Sequence, residues 1–311
     1  MRLHRTAVVS VATVAALLVG ACAGATNRPD DGGASAGRAI AHAMGATTVP
    51  ADPQRVVVLD TQELDAALSL GVVPVGATRT TVAEALPSFL AGKAPAAEIA
   101  TVGTIADPNL EAIAALQPDL ILSSKLRHED IYQQLSAIAP TVLAERTGDA
   151  WKGNFLLYAD ALGRKPAAEQ QLADYEARAA GLGTRVGAAD ISVSIVRFTS
   201  EEIRLYSPKS FIGTVLADVG FARPEVVARS TETFVKISPE QLGMAAGDVI
   251  FTTVFGSADT TAKATSQQVW STLPAVQAGK VYDVSDDVWM LAIGSTGANL
   301  VLDDIERLLA G

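Results

Sequence analysis

The chain has 311 residues and sets 24 Lys and Arg against 34 Asp and Glu, a formal net charge of −10. So acidic a surface repels phosphate backbones, which excludes nucleic acid as a natural partner class. Hydrophobic residues at 49% exclude wholesale disorder and supply core for one large or two ordinary domains.

The first element is a targeting segment. Arg2, His4 and Arg5 give a positive start, and Ala7 to Gly20 is an apolar run too short for the roughly 20 residues of a spanning helix. It reads as the core of a signal peptide over residues 1–21. Val19-Gly20-Ala21 places small residues directly before Cys22, the chain's one cysteine. This resembles the lipobox of bacterial lipoproteins, in which that cysteine becomes the lipidated mature N-terminus, giving an extracytoplasmic protein held at the cell membrane. A lone cysteine in an exported chain needs such a reason, and no intrachain disulfide can form. Removal of Arg2 and Arg5 takes the mature charge to −12.

Residues 22–53 are small, polar and aperiodic and read as a flexible tether. GASAG at 33–37 matches a nucleophile-elbow pattern but lacks the flanking strand and helix that chemistry needs. Structure begins at Arg55-Val-Val-Val-Leu-Asp60, a run suited to a strand buried on both faces. A helix follows from Leu64 to Leu70, stopped by Gly71, then a strand at Val72 to Gly76. Next come a helix at 109–116, a strand at 119–123, a helix from Glu129 to Ile138 and a strand at Thr141 to Leu143. This alternation predicts a parallel sheet with helices on its faces, an N-terminal α/β lobe over 54–150. Residues 151–187 predict a connecting helix, with Leu172, Tyr175, Ala179 and Leu182 on one face. The alternation then resumes as a C-terminal α/β lobe over 188–311: strand Ile191 to Phe198, helix Ser210 to Val219 ended by Gly220, a strand at Val281 to Val284 and a helix from Ala298 to Leu309.

One unit occurs twice. NLEAIAALQPDLIL at 109–122 aligns, 129 positions on, with SPEQLGMAAGDVIF at 238–251. Asn109 corresponds to Ser238, Glu111 to Glu240, Ile113 to Leu242 and Asp119 to Asp248. Asn109 and Ser238 suit helix N-caps, and a Glu in the first turn suits the helix dipole.

The ordered set of lipobox, RVVVLD, LEAIAALQPDLIL, the long helix, SPEQL and VWSTLPAVQAGKVYDV resembles class III solute-binding proteins of ABC importers, and within them the iron-siderophore branch. The resemblance covers about residues 54–311. It implies two lobes bridged by a rigid helix, a ligand cleft between them, small hinge motion, action as a monomer and no enzymatic cofactor. It also implies that Glu111 and Glu240 meet arginines on the two permease subunits, with Glu63 a weaker third candidate.

A ferric siderophore fills the iron's coordination positions itself, so the protein must supply apolar walls and donors for the chelating oxygens. Arg suits the second task and Trp and Tyr the first. Ligands of open α/β sheets bind beyond the strand C-termini. That rule selects Arg79, Lys125, Arg127 and Trp151 in the N-terminal lobe, and Arg197, Arg204, Tyr206 and Trp289 in the C-terminal lobe. Arg197 and Tyr206 match positions that commonly face the ligand in the siderophore branch. Lys125 and Arg127 also fit solvated surface charges, Arg204 an ion pair with Glu201 or Glu202, and Trp151 a cap on the connecting helix.

Other readings compete. A metal-ion importer component would cluster His and carboxylates, yet of the three His, His4 lies in the signal and His42 in the tether, and His128 fits a surface position. A surface hydrolase lacks a credible nucleophile. The same fold could carry haem, for which Tyr206 offers an axial ligand, or cobalamin. Net acidity and the Trp/Tyr content favour a hydroxamate-type chelate over a trianionic catecholate.

Overall fold

The computed structural model describes residues 37–80, 87–90, 92–93, 98–256 and 268–310. The signal segment and Cys22 lie outside the described residues.

Two five-stranded sheets organise the chain. The N-terminal sheet runs β5-β4-β3-β6-β7, with β3 Val56–Val58, β4 Gly76–Arg79, β5 Ala100–Thr104, β6 Leu120–Ser124 and β7 Thr141–Ala144. All its pairings are parallel. The Val-rich β3 is central and wholly buried, as a strand covered on both faces must be. The C-terminal sheet runs β10-β9-β8-β11-β12, with β8 Val193–Thr199, β9 Ile203–Tyr206, β10 Phe234–Ile237, β11 Val249–Phe255 and β12 Val281–Asp283. Here β8, β11 and β12 are parallel, whereas β9 is antiparallel to both its neighbours, β8 and the edge strand β10. The sheet is therefore mixed, and EEIRLY forms a hairpin with β8.

The helices used below are α1 Thr61–Ser69, α2 Leu110–Ala115, α3 Lys125–His128, α4 Tyr132–Ile138, α5 Trp151–Ala161, α6 Lys165–Val186 and α7 Phe211–Val219, with a closing helix at Ser295–Leu309. Gly71 and Gly220 end α1 and α7 in the left-handed region, at φ 76° and 96°. The connection expected as one helix over 151–187 is two, because Gly163 turns the chain at φ 71°. The second, α6, is the long helix that links the lobes, and it buries Leu172, Tyr175, Ala179 and Leu182.

The expected tether also needs correcting at its C-terminal end. Arg38–His42 (β1) and Gly45–Val49 (β2) pair as an antiparallel hairpin. Ile40 and Val49 point into the core, Ala43 N–H donates to the Leu143 carbonyl at 2.9 Å, and Thr47 Oγ1 donates to the Thr141 carbonyl. The hairpin thus rests on β7, and burial of two β-branched side chains offsets its ordering cost.

The repeated unit keeps its register in space. Asp119, before β6, accepts from the backbone N–H groups of Gln54 and Arg55, which lead into β3. Asp248, before β11, accepts from Ser192 N–H, which leads into β8. Ile113 and Leu242 are both fully buried.

Candidate functional site

The two lobes face each other at the C-terminal ends of their parallel strands. Between them lies a cavity of about 500 Å3. Leu126 approaches it from α3, directly after β6, and Arg146 and Asp149 from the connection after β7. Tyr206, Lys209 and Phe211 approach from the β9–α7 turn, and Met290 from the segment before the closing helix. A second cavity of about 370 Å3 adjoins the same segment and is lined by Thr61, Ser88, Phe255, Asp286, Asp287 and Leu291.

Polar contacts cross between the lobes beside these cavities. Thr61 Oγ1 donates to the Leu291 carbonyl at 3.3 Å, and Ser88 Oγ donates to Asp287. Asp65 accepts from Thr296 N–H at 3.1 Å, and Lys93 donates to Thr296 Oγ1 at 2.9 Å. Residues 287–296 therefore bear on the N-terminal lobe from the C-terminal one. Burial pushes the Asp65 carboxyl up to about 6, against the opposing pull of its Thr296 bonds.

Arg197 and Tyr206 stand together. Arg197 lies in the second half of β8, with a side chain only 9% exposed. Its Nε and Nη2 donate to the two Asp286 oxygens at 2.7 and 2.6 Å, and Nη1 donates to Tyr206 Oη at 3.1 Å. The Phe255 ring stacks at 4.8 Å from the guanidinium carbon. Burial alone would lower the guanidinium pKa; the Asp286 pairing and Tyr206 together raise it.

The other cations selected from the sequence line neither cavity, and all but Arg79 bring their own carboxylates. Arg127 pairs with Asp60 at 2.9 Å, Lys125 with Glu145 at 3.4 Å, and Arg204 with Glu202 at 2.6 Å while lying over Phe234. Arg79 is buried and donates to the Ala77 and Ile99 carbonyls, away from both cavities.

Of the two tryptophans selected from the sequence, Trp151 is core rather than wall, and Trp289, though fully buried, lines the larger cavity. Trp151 is fully buried, packs edge-on against Tyr175 and Phe211, and donates to Thr214 Oγ1 at 2.9 Å. Trp289 is fully buried beneath the larger cavity, 4.5 Å from Phe251, and donates to Asp304 at 2.9 Å. A buried indole satisfies its one donor, and here each partner belongs to the fold. His128 is likewise buried rather than superficial: Nδ1 meets Ser123 Oγ at 2.6 Å and Nε2 the Ile105 carbonyl at 2.8 Å. Among the described residues no group of three or more His, Cys, Asp and Glu is placed to hold a metal.

Two cations escaped the sequence reading. Arg146 lies two residues past the end of β7, so the strand-terminus rule could have named it; it forks onto Asp149 at 3.0 and 3.1 Å. Lys209 is exposed in the turn before α7, and no sequence signal marks it.

Glu111 and Glu240 are both exposed and lie in corresponding first turns. Glu63 does not join them. It is fully buried, accessible to no partner, and lies 2.5 Å from Tyr158 Oη.

The model for the family described as periplasmic binding protein matches residues 56–288. The chain belongs to that family. Its members are binding proteins, not enzymes. The binding protein is 38% identical over 283 residues, 86% of each chain, to the probable siderophore-binding lipoprotein YfiY of Bacillus subtilis. It is 30% identical to the Fe(3+)-citrate-binding protein YfmC of the same organism, covering 91% of this chain and 90% of that one. Among solved structures, Staphylococcus aureus SirA complexed with staphyloferrin B superposes with a TM-score of 0.81 at 31% identity, covering 88% of this chain and 98% of that one.

Proposed function

We propose that this chain is an extracytoplasmic receptor that binds an intact ferric siderophore between its lobes and presents it to an ABC permease for iron uptake. The observation that carries the reading is the cavity of about 500 Å3 at the strand C-termini, in a chain 38% identical to a probable siderophore-binding lipoprotein. Tyr206, Phe211 and Met290 give it apolar walls, and Lys209 and Arg146 give it donors.

We further propose that the lipid on Cys22 holds the protein at the membrane, that it acts as a monomer, and that Glu111 and Glu240 dock it on the permease. For the ligand, a hydroxamate-type chelate remains the preferred class. Trp151, buried away from both interlobe cavities, gives it no support, whereas Trp289 lines the larger one. The pairing of Arg146 and Arg197 with the protein's own carboxylates suits a chelate of low charge.

The test is a tryptophan-fluorescence titration, since Trp289 lies beneath the cavity. Ferric hydroxamate and catecholate siderophores, haem, cobalamin, free ferric ion and zinc are compared. Saturable binding of a ferric siderophore is expected. Equally tight binding of a free metal ion, or selective binding of haem or cobalamin, overturns the reading.

A further inference from the structure

Arg197 stands in the wall between the two interlobe cavities. Its partner Tyr206 lines the larger one, and its partners Asp286 and Phe255 line the smaller. A guanidinium there would be the natural seat for two chelate oxygens, because its planar fork matches a carboxylate edge. That seat is taken. Asp286 fills both fork positions, at 2.7 and 2.6 Å, from a segment 89 residues away, with 11% of its side chain exposed. The fold has thus delivered a carboxylate to the place where a carboxylate ligand would bind. At the larger cavity Arg146 forks onto Asp149 in the same way, and Lys209 has no ion-pair partner among the described residues.

Building on the siderophore reading, we propose that Asp286 is a specificity-determining residue of the cleft. As an internal counter-ion it cancels the charge of Arg197 and biases the cleft against chelates of high negative charge. A charge this poorly exposed is weakly screened by salt, so the cancellation reaches any ligand in either cavity. The Tyr206 hydroxyl, held by Nη1, remains to present one neutral hydrogen-bonding group to the ligand.

The experiment uses the mature full chain, with cationic ferrioxamine B, neutral ferrichrome and anionic ferric dicitrate as probes. Asp286→Asn keeps the shape and removes the charge. It is expected to raise affinity for ferric dicitrate relative to ferrioxamine B by about tenfold or more, the scale of one charge-assisted hydrogen bond. Asp286→Glu keeps the charge and should hold the wild-type ratio. Because the effect runs through Arg197, adding Arg197→Gln to Asp286→Asn should abolish the gain. An unchanged ratio in Asp286→Asn, an equal shift for all three chelates, or a gain that survives the second substitution overturns the inference. Failure of every protein to bind any of the three overturns the siderophore reading itself.

Discussion

Tyr158 Oη lies 2.5 Å from Glu63 Oε1 and 2.9 Å from the Ser123 carbonyl, and the tyrosine has one proton for the two oxygens. The Tyr158 hydroxyl donates toward both oxygens, so its one proton is shared and neither acceptor is fully satisfied. That leaves the buried Glu63 charge poorly compensated. Burial first, and the nearby Asp60 charge second, push its pKa from 4.5 up to about 8.

This makes stability pH-dependent with a definite sign. A carboxyl whose folded pKa is raised keeps a proton that the unfolded chain gives up, so stability falls as pH rises from the unfolded value to the folded one. For Glu63 the window is pH 4.5 to about 8, and for Asp65 it is 3.8 to about 6. Between pH 6 and 8 the decline belongs to Glu63. Glu63→Gln should flatten the melting temperature across pH 6 to 8 and leave below pH 6 only the shallower decline that belongs to Asp65. Thermal denaturation of both proteins at half-unit pH steps checks it; an equally steep variant curve above pH 6 refutes the raised Glu63 pKa.

Two glycines of α6 should respond to alanine with opposite signs. Helix propensity alone favours Ala over Gly by about 1 kcal/mol. At Gly181 a Cβ would meet nothing nearer than the Arg185 side chain at 3.7 Å, so Gly181→Ala should stabilise. At Gly183 the same atom would stand 1.9 Å from the Val219 carbonyl oxygen, where α7 ends against α6. Backbone must move, and Gly183→Ala should cost about 1–3 kcal/mol net. Urea unfolding of the pair measures both.

The buried parallel strands, α6 and the repeat were legible because each rests on local pattern, although β4 lies at Gly76–Arg79 rather than at the expected Val72 to Gly76. Val56 to Leu59 can only be a covered strand, and the 172, 175, 179, 182 stripe can only face a core. The RAIAH–GATTV hairpin was not legible, since only Ile40 and Val49 carry its burial and the rest of its side chains are small or polar. The strand-terminus rule found Arg197 and Tyr206 but could not tell which way a ring turns. Trp151 finds its acceptor 63 residues away in Thr214, and Arg197 finds Asp286 at a separation of 89. Such pairings are set by tertiary packing, within the C-terminal lobe for Arg197 and between α5 and α7 for Trp151, which no local window contains.

The proposed anchoring rests on Cys22 and the small residues before it. Cys22→Ser should leave the protein unlipidated and release it from the membrane fraction. Intact-mass analysis of the membrane-extracted wild type should show an acylated Cys22 as the mature N-terminus, and any other N-terminus refutes the anchor.

Glu111 and Glu240 carry the last prediction. A local account exists for each: Asn109 Oδ1 accepts from Ala112 N–H at 2.9 Å, Ser238 forms a capping box with Gln241, and an acid in the first turn gains about 0.3–1 kcal/mol from the helix dipole. The dipole is a weak reason here, because α2 has six residues and the corresponding turn, Pro239–Ala245, is a seven-residue 3-10 helix. What the local account leaves over is the match between lobes. Asp119 and Asp248 tie the two units to the entering strands in the same way, so the repeat reproduces a placement as well as a composition. A pseudo-twofold receptor docked on a twofold permease needs such a pair, and exposed carboxylates fit arginine receivers. Reversing both to Arg should leave siderophore affinity within about twofold, since surface changes far from a site are nearly additive. Uptake of radiolabelled ferric siderophore by cells relying on this receptor should collapse. Normal uptake by the double variant would return both residues to helix capping alone, and a parallel loss of binding would place them in the structure of the lobes.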